Sequence, residues 1–458
     1  MYLSFFDKCN KKTYTSPHTN QKNHYLCIKF LTHNSSLNFM SEKLLNYIWF
    51  SRLYFEEQQT LLGEQVRIIS PGIPNTDAGP DVFNAKVEIN GRQWAGNVEF
   101  HVRASDWHRH NHDGKREYDN VVLHVVFEAD EQIFTQADNP IPTIILNYPK
   151  SILSNYNTLI QKPHICPIEF NKIDSFRLNQ WIDRLLIERL QVKTERIAQI
   201  LRDSQNNWEQ AFYVTLCRAF GFGTNADAMQ QVANSLPLNI IMHHRDSIEQ
   251  IEAILLGQAG FLNNIENPDT ETAIWQREYK FLSNKFSLKP TDGVYFKFLR
   301  MRPSGFPTMR LAQFAMLLHR HDHLFSKVHN NLNIKSLRQI FTIEASNYWT
   351  THYRPNHTSE HHGCQLSTSS IDLLIINTLV PFLFLYSQVN RDEQLQDNTL
   401  DLLRQLKAEK NHKVTHFTDF PCPDAYTSQA LIQLHDNYCT RKNCLRCQIA
   451  HQYLKSNK

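Results

Sequence analysis

The chain has 458 residues, 41% of them hydrophobic and 20% charged, with a formal net charge of +3. That is ordinary globular material for two or three cores; it offers no general cationic surface for nucleic acid, so any such contact must be a local patch. No stretch supplies the ~20 uninterrupted apolar residues of a membrane span, and nine cysteines without a secretion signal imply reduced thiols in a cytoplasmic protein with no membrane partner.

Residues 1–39 match no targeting template and read as a disordered or mis-started leader, with the fold expected from Met40. Ser41 is placed as an N-cap, and Leu45, Ile48, Trp49, Leu53 and Glu56 follow at helical spacing, predicting a helix that runs to near Gly63. Glu56 or Glu57 is its candidate acid. Val66–Ile69 is a short strand closed by Pro71-Gly72.

The most informative stretch runs from Gly79 to Val102. Phe83, Ala85, Val87 and Ile89 alternate with polar residues, as do Trp94, Gly96, Val98, Phe100 and Val102, and Asn90-Gly91 between them suits a two-residue turn. The expected register sets Ile89 opposite Arg92, Val87 opposite Trp94, Ala85 opposite Gly96 and Phe83 opposite Val98. Glu99 and His101 then share the other face, turned away from the core. Strict pairing sends Asp81 to the face opposite Glu99, so bringing the two together requires Asp81 to precede the pleat or a bulge near Gly96.

Pro80-Asp81, a hairpin, and Glu99-Phe100-His101 resemble the PD-(D/E)XK nuclease signature, over residues 41–150. The resemblance implies an αβββαβ core, with Asp81 and Glu99 binding Mg²⁺ or Mn²⁺ for phosphodiester hydrolysis of DNA or RNA. His101 stands where that family has lysine, and would position or activate the attacking water. Lys86 lies too far along its strand to substitute. A nonenzymatic scaffold that keeps the fold is the alternative.

Next, His108, His110 and His112 alternate after Trp107, a spacing that suits neither a helix face nor a packed core. It reads as a solvated loop, or with His101 as a metal cluster or substrate rim. Val121–Phe127 is a nearly continuous apolar run, as in a strand buried on both faces, and Thr143–Leu146 reads as another strand.

From Asn171 the pattern turns helical, beginning with Leu178, Trp181, Ile182, Leu185 and Leu186. Ile371–Tyr386, which contains Asp372, Asn377 and Pro381, reads as a buried helix. Arg300, Arg302 and Arg310 surround a Pro/Gly turn and are the candidate phosphate-gripping residues, or else pair with helix C-termini. Segments including Asp81–His101, Trp107–Val126 and Ile251–Leu262 resemble an uncharacterised bacterial family from Met40 to the C-terminus, with no activity assigned to it. Cys439, Cys444 and Cys447, with Cys422 as preferred fourth ligand over His435 or His451, form a candidate zinc or iron–sulfur site, or are packed thiols.

The expected architecture is α+β: a mixed-sheet, nuclease-like domain over 40–165, then a large α-helical domain over 166–458 ending in the cysteine cluster.

Overall fold

A computed structural model describes residues 40–135, 139–161, 170, 173–291, 295–417 and 419–456; the leader of residues 1–39 lies outside them. The described chain is α+β and divides into two units. One comprises the residues up to 168 together with 442–458, and the other residues 169–441. The C-terminal segment with Cys444 and Cys447 therefore belongs with the sheet, not with the helices that precede it.

In the first unit, helix α1 (Glu42–Phe50) starts where expected, the Ser41 hydroxyl accepting a hydrogen bond from the Leu44 amide. It ends earlier than the apolar spacing implies. Arg52 takes a left-handed conformation, φ 51°, and the Leu53 amide returns to the Ile48 carbonyl, closing the helix in the manner of a Schellman turn. Leu53, Glu56 and Glu57 are thus off the helix, and both glutamates are exposed.

The seven strands are β1 (Gln58–Gln59), β2 (Gln65–Ser70), β3 (Ile73–Pro74), β4 (Val82–Ile89), β5 (Arg92–Arg103), β6 (Val121–Glu128) and β7 (Thr143–Ile145). The sheet order is β1-β2-β4-β5-β6-β7, with β3 pairing onto the start of β4. β2, β4 and β5 form an antiparallel meander, while β6 runs parallel to β5 and β7 parallel to β6. Between β5 and β6 lies helix α2 (Asp106–Arg109), a crossover of the kind a parallel pair requires.

The hairpin register is as expected from Ile89↔Arg92 to Ala85↔Gly96, but Val82, not Phe83, faces Val98. The extra residue is in β4: Asn84 takes φ 54°, a conformation asparagine tolerates better than most residues. The bulge is therefore at Asn84, not Gly96. Asn84→Gly should leave the melting temperature within a degree or two, whereas Asn84→Val should cost about 1–2 kcal/mol; equal thermal denaturation of the two variants would mean the bulge is not set by this residue.

One face of the sheet packs on α1 through Leu44, Leu45, Ile48 and Trp49, all fully buried, with Trp49 edge-on to Phe100 at 5.7 Å. The Glu99/His101 face was expected to lie away from the core; instead it is covered. Trp107 and Tyr118 join Ala104, Val121, Val126, Ile133 and Ile141 in a second cluster, leaving Glu99 and His101 5% and 0% exposed. Helix α3 (Lys150–Gln161) completes this part of the unit.

The second unit is helical, as its periodicity predicts. Its principal helices are α4 (Ser175–Asp203), α5 (Trp208–Phe220), α6 (Ile248–Gln258), α7 (Thr270–Phe286), α8 (Pro307–Arg320), α9 (Thr368–Leu374) and α10 (Val380–Asn390). Side-chain N-caps recur along it: Asp174, Ser247 and Asp269 each accept from amides of the first turn. Buried Trp181, Phe212, Phe314, Trp349 and Phe382 form much of its interior. α9 and α10 are joined by a π-helical turn at Ile375–Leu379. The stretch Thr368–Asn390 is long and apolar enough to cross a membrane by length and composition, yet most of it is buried within the unit. In α6, Glu252 is buried, accepts hydrogen bonds from Ser346 Oγ and Trp349 Nε1, and is pushed up to about 8 by burial.

The C-terminal helix, α11 (Gln448–Lys455), returns to the first unit. His451 Nδ1 lies 2.5 Å from the Tyr47 hydroxyl, and Asn155 Nδ2 donates to the carbonyls of Tyr453 and Ser456, both at 3.0 Å.

Candidate metal centre

The site is built on β5. At the start of β4 the Asp81 amide donates to Glu99 Oε2 at 3.0 Å, and the Phe100 amide donates to Asp81 Oδ2 at 3.0 Å. Each carboxylate thus has one oxygen fixed by the other strand's backbone. Asp81 precedes β4 and the bulge shifts its register, so it meets Glu99 despite the strict-pairing objection. Asp81, Glu99 and His101 do come together.

His110 and His112 join them. The short helix α2 is pinned by Trp107, 3% exposed, and by Asp106, whose Oδ2 accepts from the Arg103 amide; His112 stacks on Tyr118 with ring centroids 4.0 Å apart. The loop that alternation suggested is real, but its anchors turn His112 inward, 8% exposed, while His108 and His110 stay open to solvent. His101, His110 and His112 each present a ring nitrogen, the three lying within 4.8 Å of one another. His112 Nε2 is 3.1 Å from Glu99 Oε1, and His101 Nε2 is 3.7 Å from the same oxygen. Neither contact has hydrogen-bond alignment, so His101 Nε2 and both His112 nitrogens are buried without a hydrogen-bond partner. Buried polar atoms ordinarily have one. Imidazole nitrogens and a carboxylate oxygen converging in this way fit a divalent transition metal in number and chemistry.

Behind them, His124 on β6 is fully buried, with Nε2 2.8 Å from His101 Nδ1. That contact fixes which His101 nitrogen is left for the pocket, as outer partners do for metal-bound histidines. His124 lay within the apolar β6 run and carried no signal of its own. Glu42, in the first turn of α1, is the second residue that sequence reasoning missed: its carboxyl is raised chiefly by burial, with His110, Asp106 and Glu99 close enough to act on it. It is an acid on α1 beside the pocket, where the sequence directed attention to Glu56 and Glu57.

Electrostatically, the pocket gathers carboxyl groups and imidazoles in a buried setting. Burial, reinforced by Glu99, pushes Asp81 up to about 7. Burial, with the neighbouring histidines, pulls His101 down to about 2 and His124 down to about 3. The sign follows by linkage. Raised from 3.8 to about 7, Asp81 contributes stability that is present at low pH and lost as pH rises through about 7. The depressed histidines contribute stability present above their ordinary 6.5 and lost as pH falls. In metal-free protein, Asp81→Asn isolates the first effect, because the histidines are common to both chains. The melting-temperature difference should grow in the variant's favour from pH 4 to pH 7.5; a pH-independent difference would show that Asp81 is not strained by its neighbours.

The other sequence candidates are elsewhere. Arg310 is half-buried in α8, its guanidinium 4.4 Å from the Phe222 ring centroid and Nη1 donating to Gln313 Oε1 at 2.9 Å. Burial lowers it to about 10, so it stacks inside the helical unit instead of gripping phosphate at its surface. Arg300 and Arg302 are exposed. Of the cysteines, Cys422 and Cys439 belong to the second unit and Cys444 and Cys447 to the first. Among the described residues, the set of three or more donors that comes together is the histidine set.

Fold and site together define an α+β protein whose mixed sheet carries a buried histidine–carboxylate pocket. The chain belongs to the family described as "Protein of unknown function (DUF2851)", which matches residues 42–412. No curated protein and no solved structure matches it.

Proposed function

We propose that the first unit is a metal-dependent hydrolase of phosphodiester bonds in DNA or RNA. The observation that carries the reading is the set of buried, unpartnered nitrogens on His101 and His112 facing Glu99 Oε1. The order of elements, with an acid ahead of one strand and Glu-X-His on the next, supports the phosphodiester part.

His101, His112 and Glu99 would hold the ion, with exposed His110 closing the set towards solvent. Imidazole donors favour Zn²⁺ over Mg²⁺, and the Glu99 carboxylate admits Mn²⁺ as well. Such an ion lowers the pKa of its bound water and offsets charge on a scissile phosphate. His101 is then a ligand, not the water-activating group that its position in the motif implies, because it is wholly buried with Nδ1 engaged by His124. Asp81, with a pKa of about 7, is the group able to take or return a proton near neutrality.

Purified protein stripped with a chelator and reloaded with Zn²⁺ or Mn²⁺ should cleave labelled single- or double-stranded DNA or RNA, and Glu99→Gln should abolish the cleavage without unfolding. Stoichiometric metal with no cleavage of any of these substrates would overturn the phosphodiester assignment while leaving the metal site standing.

A further inference from the structure

The helical unit contains a cavity of about 540 Å³ between α4, α5 and the π turn that joins α9 to α10, a volume typical of small-molecule sites. Its charged lining is one-signed: Lys193, Arg196 and Arg218 line it, and no aspartate or glutamate does. Its polar uncharged lining is Thr215, Asn377 and Thr378, and the remainder is apolar, with Ile197 and Ile200 on α4 facing Ala219 and Leu374.

Three further observations converge here. Lys193 is held by amide oxygens, its Nζ donating to Asn377 Oδ1 and Gln429 Oε1 at 2.7 Å each. No carboxylate contacts it directly, and burial together with Arg189 lowers it to about 7 although Glu409 is near enough to oppose the shift. Its nearest carboxylate acts only through those amides, Asn377 Nδ2 and Gln429 Nε2 both donating to Glu409. Next, Asn377 and Thr378 belong to the π turn, a departure from α-helical bonding that often marks ligand sites. Finally, Phe222 on the wall has φ 42°, a conformation a bulky residue rarely adopts and one that clusters where ligands are clamped. Arg218 is already paired with Asp227 at 2.5 Å, which leaves Lys193 and Arg196 as the available cations.

We propose that this cavity binds an amphiphilic organic anion, a carboxylate or phosphate monoester with a short apolar tail, its head at Lys193 and Arg196 and its tail against Ile197, Ile200 and Leu374. This site is independent of the metal centre. The anion supplies the charge that the lining lacks, and the tail occupies the apolar floor.

Thermal shift of the full chain, titrated separately with octanoate, octyl phosphate and 1-octanol, tests the assignment. Octanoate or octyl phosphate should raise the melting temperature saturably, the tighter of the two identifying the head group, while 1-octanol at equal concentration should not. Arg196→Ala, at an exposed position that does not threaten folding, should weaken the apparent affinity several-fold. Lys193→Met should weaken it ~10- to 100-fold, the loss expected for a charge-assisted contact. Equal shifts from 1-octanol, no saturable shift from either anion, or an unchanged affinity in Arg196→Ala would each overturn the proposal.

Discussion

Replacing His101 by glutamine should reduce the affinity of the first unit for Zn²⁺ by more than ~100-fold, beyond the range seen for losing an outer partner. The amide can reach Glu99 but cannot supply the unprotonated ring nitrogen that now lies 3.7 Å from its oxygen. Equilibrium dialysis against buffered Zn²⁺, with circular dichroism to confirm folding, reads the result directly. His124→Phe should cost less, ~10- to 100-fold, because it removes the contact to His101 Nδ1 and leaves every pocket nitrogen in place. Equal Zn²⁺ affinity in wild type and His101→Gln would remove the metal centre from consideration.

Gly257→Ala is expected to be the most damaging single-methyl change in the helical unit. A Cβ there would fall 2.2 Å from Cγ of Tyr279, and the ring cannot withdraw freely because Tyr279 Oη donates to buried Gln258 Oε1 at 2.8 Å. Overpacking of this kind costs about 1–3 kcal/mol, visible as a lowered midpoint in urea. The same methyl should reverse its sign once the ring is gone. In a Tyr279→Ala background, Gly257→Ala should stabilise by up to about 1 kcal/mol, the ordinary helix preference for alanine. If the penalty persists in that background, the close approach of α6 and α7 is not its cause.

Much of the fold was legible because its signals are local. Asn90-Gly91 fixed the hairpin and three of the four pairs expected from it, the apolar run over Val121–Phe127 predicted a central strand, and Ser41 marked the start of α1. Where the reading failed, a non-local partner or a single backbone angle decided the outcome. Apolar spacing past Phe50 extended α1 on paper, but the left-handed Arg52 stops it, which leaves Glu56 and Glu57 off the helix. Asn84 carried a weak cue, being a residue that tolerates positive φ, yet alternation on both sides concealed the bulge. The histidines were noticed as a run, but their direction depends on Trp107 and Tyr118 folding under the sheet, and the partnership of His101 with His124 depends on the parallel pairing of β5 and β6. Arg310 was set apart from the exposed Arg300 and Arg302 by the same kind of partner, since Phe222, on which it stacks, lies far from it in sequence.

The return of α11 to the first unit gives this protein a particular order of biosynthesis. Every residue of the histidine–carboxylate pocket lies between Glu42 and His124 and leaves the ribosome early. The seat for α11, with the Tyr47 hydroxyl and Asn155 amide as its polar contacts, must wait while residues 169–441 are made, on the order of tens of seconds at ordinary elongation rates. During that interval the helical unit can fold as a contiguous piece, whereas the sheet unit stands with its last helix missing and that seat uncovered. A nascent chain halted before Lys442 should therefore be sensitive to protease in the sheet unit and resistant in the helical one, and the sheet unit should gain its protection only on synthesis of the final turn.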